Sequence, residues 1–356
     1  MSPAGPRARK SLPLAAWPEP DRLAWLAALD PGRDVFEDAG PAARWAAATR
    51  AGVRHGYGRW LGFLAAHEPD ALALAPGARA DVARVARFLA HLSETVGLAS
   101  RHVTVQHLRD ALAAMAPGHD RAALGRVVAR LGRDRQPRDK RPRLVATGRL
   151  LALGQALMDG VPAGAVLRAR DLLAYRDGLM VALLATRPLR RRNFAAIEVG
   201  RHLLAVGAGF HLMFEAGETK TGQPIETEVP AELAPRLARY LAEIRPRFPG
   251  AAAHRALWAG RKGRGLGGAA VYGAIAARTR AAFGRAVGPH LFRDCAATTI
   301  AIARPGRVGV ARDLLGHASL ATTNAHYNQA RSIEASRLHA EVLAACRAAG
   351  ETLGDE

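Results

Sequence analysis

Near its C-terminal end the chain reads Pro289-His290-Leu291-Phe292-Arg293, then Leu314-Leu315-Gly316-His317, then Ala325-His326-Tyr327. These residues offer cationic donors, groups that move protons and one hydroxyl nucleophile. No Ser or Cys stands beside an obvious base, and no metal-ligand cluster accompanies them. This is equipment for phosphoryl transfer in which a tyrosine hydroxyl attacks phosphorus and cations hold the charge that develops on its oxygens. His290 and Arg293 stand three apart at a helix start and so share a face, with Pro289 suited to the first turn. His317 follows a helix that ends at Gly316. Taken singly, each has a plainer explanation: a surface His-Arg pair, a histidine at a helix end, a half-buried core tyrosine. Together they are far more specific.

The chain has 356 residues, enough for two domains with a short extra arm. Its net charge is +20, with 51 basic residues against 31 acidic. A polyanion is the natural partner of such a chain, and nucleic acid is the commonest polyanion. Only four of the basic residues are lysines: Lys10, Lys140, Lys220 and Lys262. Heavy use of Ala, Arg and Gly points to a GC-rich coding sequence. That bias favours Arg over Lys but does not explain the excess of positive charge. The two cysteines, Cys295 and Cys346, make neither a disulfide framework nor a cysteine zinc site, which suits a reducing cytoplasm. No apolar run is long enough to span a bilayer, and no apolar signal core follows the basic N-terminus.

The elements that must position these groups are mainly helical, because Ala and Leu dominate the apolar composition. Residues 1–41 are proline-rich and read as an N-terminal arm, with a short helix at 21–29. Residues 42–131 read as a helical bundle. Within it, Val82, Val85, Phe88, Leu89 and Leu92 fall at amphipathic spacing, Leu108, Leu112 and Met115 mark a helix over 104–116, and Asp120 caps a helix through Leu131. Residues 132–143, full of charge and proline, read as a basic linker able to lie along a phosphate backbone. The second domain, 144–356, carries a strongly apolar helix at 168–185. Short strands follow at 202–206, 211–214 and 225–229, joined by Gly-rich turns. Helices are expected at 231–244, 269–283, 289–303, 308–315, 319–328 and 332–348. The fold class is therefore mostly α with one small antiparallel sheet.

The segments His290-Leu-Phe-Arg293, Leu314-Leu-Gly-His317-Ala-Ser-Leu-Ala-Thr-Thr and the following Tyr327 resemble the C-terminal signature of the tyrosine recombinases, the phage integrase family. Upstream, Pro188-Leu189-Arg190-Arg-Arg-Asn193-Phe-Ala-Ala-Ile197 looks like that family's first arginine motif. Arg187, Arg191 and Arg192 stand close by, but only Arg190 lies three before Asn193, where the family often has Glu. Glu218-Thr219-Lys220-Thr221-Gly222 looks like the turn that carries the family's lysine between two strands. All five motifs occur in family order. The spacing from His317 to Tyr327 is one residue longer than in the commonest members, yet Tyr327 is the only tyrosine there. Residues 42–131 match the family's core-binding domain in character only.

The resemblance implies a two-domain clamp on double-stranded DNA, with the helical core-binding domain on one face and the catalytic domain on the other. It implies a site-specific recombinase or integrase, of the kind carried by mobile elements, that forms a 3′-phosphotyrosine link without metal, ATP or cofactor. A homotetramer on DNA is expected, with the terminal helix 332–348 docking on a neighbouring subunit or on its own domain. Chemistry supports each role. Arg190 and Arg293 offer planar paired donors to phosphate oxygens. His290 and His317 donate or shuttle protons. Lys220 can protonate the leaving oxygen, which Arg cannot do, and Tyr327 is the nucleophile. His326 reads as an exposed neighbour. Two other functions stay open at this point: a non-catalytic DNA-binding protein on the same fold, and a DNA-relaxing enzyme of the type IB topoisomerase kind.

Overall fold

A computed structural model of the chain describes residues 11–34, 37–134, 140–164 and 166–303, with backbone alone at 141 and 301–303. The expected helices at 308–315, 319–328 and 332–348 lie outside the described residues, as do His317, His326 and Tyr327. The chain divides into two compact units, Met1–Arg138 and Asp139–Glu356. No described helix is long and apolar enough to cross a membrane.

The first unit is helical: α1 (Glu19–Ala28), α2 (Ala47–His67), α3 (Val82–Thr95), α4 (Leu98–Met115) and α5 (Ala122–Arg133). Its core joins Tyr57, Trp60, Leu61 and Leu64 of α2 with Val85, Phe88 and Leu92 of α3, Leu108 and Leu112 of α4, and Leu124 and Val128 of α5. Asp81 starts α3 as its N-cap, accepting the Arg84 N–H at 2.9 Å. Val82, assigned to the apolar stripe from spacing, faces outward instead.

The proline-rich N-terminal stretch does not stand apart from this unit. Trp17 and Trp25 are buried in the same core, edge-on to each other, and Trp17 also meets Tyr57. Asp21 on α1 is fully buried and forms an ion pair with the equally buried Arg79. The Tyr57 hydroxyl donates to Asp21 at 2.5 Å, and Arg79 also donates to the Leu72 carbonyl at 2.7 Å. Burial, reinforced by Asp21, holds the Tyr57 hydroxyl well above its ordinary pKa, so it remains a donor. Proline spacing alone suggests an arm; the indoles and one buried carboxylate make it part of the core.

The second unit begins with α6 (Thr147–Asp159) and α7 (Ala169–Thr186). The sequence pattern assigns no helix over α6, which carries Gly148 and Gly154. Packing explains Gly154. A Cβ there would lie 2.6 Å from both the Ala182 nitrogen and the Gly178 carbonyl oxygen, so the glycine pair lets α6 and α7 touch backbone to backbone. A short α8 (Arg191–Ala195) leads into the sheet of β1 (Leu203–Val206), β2 (Gly209–Phe214) and β3 (Ile225–Glu228), antiparallel in the order β1-β2-β3. Leu203 pairs with Leu212, and Phe214 with Ile225. The β1–β2 turn uses Gly207 at a φ of 56°, a value residues with a Cβ rarely adopt.

The helix expected at 231–244 begins only at α9 (Ala234–Arg239), with Pro235 in its first turn, and continues as a π-helical turn, Tyr240–Ile244. Then come α10 (Gly268–Phe283) and α11 (Pro289–Ala303). A single core runs from Leu150 and Leu179–Leu184 through Phe194, Leu212, Tyr240 and Trp258 to Leu291 and Phe292.

If the N-terminal segment belongs to the first core, Asp21→Ala leaves the Arg79 guanidinium buried and uncompensated. Urea unfolding followed by tryptophan fluorescence should then show a loss of about 3–5 kcal/mol. A loss near zero would mean that the segment is an arm after all.

Candidate active site

Four of the six residues singled out from sequence are described, and all four belong to the second unit. Two come from the start of α11. Arg293 is 7% exposed and donates to the Pro188 carbonyl at 2.6 Å, tying α11 to the turn before α8. His290, one turn earlier, stays open to solvent. Arg190 is the N-cap of α8 and half-buried.

Its charge reaches Arg293. Burial first, and then Arg190, push the Arg293 guanidinium down to about 10, with Asp294 opposing. Two guanidiniums within each other's field, one of them desolvated, form a site that an anion would stabilise. Among the neighbouring arginines, Arg187 donates instead to the Glu228 carbonyl at 2.8 Å and the Thr186 carbonyl at 3.0 Å, and Arg191 and Arg192 face outward.

Lys220 is exposed on the connection between β2 and β3. Its charge makes the smallest contribution to a lowered pKa at His290. The larger cause of that lowering is partial burial of the imidazole; Lys140 and Arg293 add to it, and Asp294 opposes. Near neutral pH His290 is therefore mainly uncharged, able both to donate and to accept.

Sequence spacing does not reveal what holds the lysine turn. Asn193 on α8 donates to the Glu218 carbonyl at 3.1 Å, linking the Arg190 turn to the Lys220 turn. The Glu218 carboxylate accepts from Arg201 at 2.7 Å, from His202 Nε2 at 3.0 Å and from the Glu215 N–H at 3.0 Å. The Glu198 N–H donates to His202 Nδ1 at 3.1 Å, so the ring proton sits on Nε2 and goes to Glu218. The hydrogen bond from His202, then that from the Glu215 N–H, hold Glu218 below the usual carboxylate range. The His202 ring stacks on Phe214, 4.7 Å between centroids. Thr219 closes the turn by donating to the Gln223 carbonyl at 2.7 Å. Only the strand pairing brings His202 and Glu218 together, so no motif could have announced them.

Cys295, on the same helix, is buried, accepts the Val145 N–H at 3.4 Å and has its thiol pushed up to about 11, chiefly by burial. It is a packed side chain rather than a nucleophile. Among the described residues no three His, Cys, Asp or Glu side chains are grouped to hold a metal ion. A cavity of about 680 Å³ lined by Arg176, Arg261, Lys262, Arg264 and Leu266 contains none of the four described candidates.

Two solved structures share this architecture. One is the XerH site-specific recombinase bound to palindromic difH substrate, a post-cleavage complex, at a TM-score of 0.52 and 15% identity over 92% of this chain and 98% of that one. The other is XerH bound to difH substrate, a pre-cleavage complex, at a TM-score of 0.50 and 17% identity over 72% and 69%. The fold is that of the tyrosine recombinases. No protein-family model and no curated protein matches the sequence. At such identity the likeness is one of backbone. Within the tyrosine recombinase fold of this chain, the arginine turn, the lysine turn and the first turn of α11 converge through the contacts above.

The His290 environment makes a measurable claim. Its NMR titration midpoint should fall below about 6.5, the ordinary value for histidine. Inorganic sulfate should raise it, because an anion among these cations favours the imidazolium. A midpoint above the ordinary value, unmoved by sulfate, would mean that the cations do not converge on His290.

Proposed function

We propose that this protein is a DNA strand transferase, a site-specific recombinase that cleaves and rejoins double-stranded DNA through a 3′-phosphotyrosine intermediate. What supports the reading is that α11, the Arg190 turn and the Lys220 turn are tied together by the Arg293–Pro188 and Asn193–Glu218 hydrogen bonds, on a chain whose remaining family motifs, His317 and Tyr327, follow in order. The basic balance of the chain agrees with DNA as the partner.

In this reading Arg190 and Arg293 bind the non-bridging oxygens of the scissile phosphate and stabilise the charge added as it is attacked. The Tyr327 hydroxyl attacks phosphorus in line, forming a P–O bond to the tyrosine and releasing its proton to solvent or a histidine. The bond from phosphorus to the 5′ oxygen breaks, and Lys220 protonates that oxygen as it leaves. One phosphodiester is exchanged for another, so the bond energy is kept and religation needs no ATP. The 5′ hydroxyl of a partner strand then reverses the step. His290 and His317 donate to the phosphate oxygens or pass protons. A homotetramer on DNA, exchanging strands through a Holliday junction, completes the proposal, with 332–348 as the segment that would dock on a neighbour.

Two measurements test it. On a nicked suicide substrate the wild type should form a covalent protein–DNA adduct and Tyr327→Phe should form none; an adduct from Tyr327→Phe overturns the nucleophile. Lys220→Ala should slow cleavage by about 10²–10⁴. A substrate whose 5′ bridging oxygen is sulfur should recover most of that rate, since a thiolate leaves without a proton. Equal slowing on both substrates would rule out Lys220 as the general acid.

A further inference from the structure

Residues 140–147 form a strap along α11, held at several points. The Leu144 carbonyl accepts from Arg285 at 3.1 Å, just before α11. The Val145 N–H points to Cys295 Sγ at 3.4 Å, and Thr147 meets the Thr299 hydroxyl through its N–H at 3.2 Å and its own hydroxyl at 3.1 Å. At the start of the strap Lys140 Nζ lies 2.8 Å from Asp294 Oδ2. Asp294 is 8% exposed, follows Arg293 in sequence and stands one helical turn after His290.

A buried carboxylate is a poor neighbour for a phosphate site. It repels the substrate and competes for the guanidinium and imidazole that should bind it. The sequence reading treats Lys140 only as part of a basic linker lying along a DNA backbone. We infer that Lys140 is a positioning residue of the active site: it engages Asp294 in an ion pair and keeps that carboxylate from competing with phosphate for Arg293 and His290. This rests on the recombinase reading proposed above. In this reading two of the four lysines in this chain serve one site, Lys220 as the acid for the leaving oxygen and Lys140 as the partner of Asp294.

The charges around His290 give the idea a signature that a purely structural strap would lack. Asp294 and Arg293 act from α11, Lys140 from the strap and Lys220 from the β2–β3 turn; only Asp294 raises the imidazole pKa. Removing Lys140 therefore moves the His290 midpoint up, and removing Asp294 moves it down.

The experiment compares single-turnover cleavage of the suicide substrate at saturating DNA by wild type, Lys140→Ala, Lys140→Arg and the double variant Lys140→Ala/Asp294→Asn, with the His290 midpoint read by NMR without DNA. Lys140→Ala should be slower by about ten- to hundredfold, the scale of coupling between charged neighbours. Lys140→Arg should keep most of the rate. The double variant should return to within about threefold of wild type. A double variant as slow as Lys140→Ala overturns the inference, as do midpoints that fail to move in opposite directions for Lys140→Ala and Asp294→Asn. A wild type that forms no adduct removes the recombinase reading itself; adduct formation without rescue removes only the role of Lys140.

Discussion

Burial of the Arg293 guanidinium within the field of Arg190 lowers its pKa, with Asp294 opposing. Neither desolvation nor like-charge repulsion helps this unit fold. What keeps Arg293 in place is the core on both sides of it, Leu291, Phe292 and Cys295, together with its hydrogen bond to Pro188. The helix is held by these apolar neighbours rather than by the charge it presents.

The remaining donors are aimed by contacts that carry no chemistry of their own. Asn193 joins the arginine turn to the lysine turn through one carbonyl, and Glu218 gathers Arg201, His202 and a backbone N–H so that the loop ahead of Lys220 keeps its shape. The sheet is small, three short strands, yet its register alone sets His202 near Glu218. The strap from Lys140 to Thr147 is tied to α11 at Asp294, Cys295 and Thr299. The candidate site thus rests on three kinds of contact: apolar packing around α11, the Asn193 hydrogen bond between the arginine and lysine turns, and the carboxylate hub of Glu218.

The first unit shows the same dependence on tertiary contact in a plainer form. Its stripe of Val85, Phe88 and Leu92 is visible in the sequence because helical spacing is a local property. Its Asp21–Arg79 pair is not visible, because no spacing rule links a residue on α1 to one preceding α3. A charged, proline-rich stretch reads as an arm until the partner that neutralises its carboxylate is known.

By itself the sequence determined the residue types and their order: arginine, lysine, histidine with arginine, histidine, tyrosine. It also determined that helices dominate, that α11 starts at Pro289 and that three short strands precede it. Those are local matters of propensity, period and motif. Tertiary structure decided which of four clustered arginines shares a field with Arg293, that Gly154 sits at the crossing of α6 and α7, and that Lys140 pairs with Asp294 on α11. The reason is physical: burial, like-charge proximity and ion pairing depend on distance in space, and chain separation does not encode that distance.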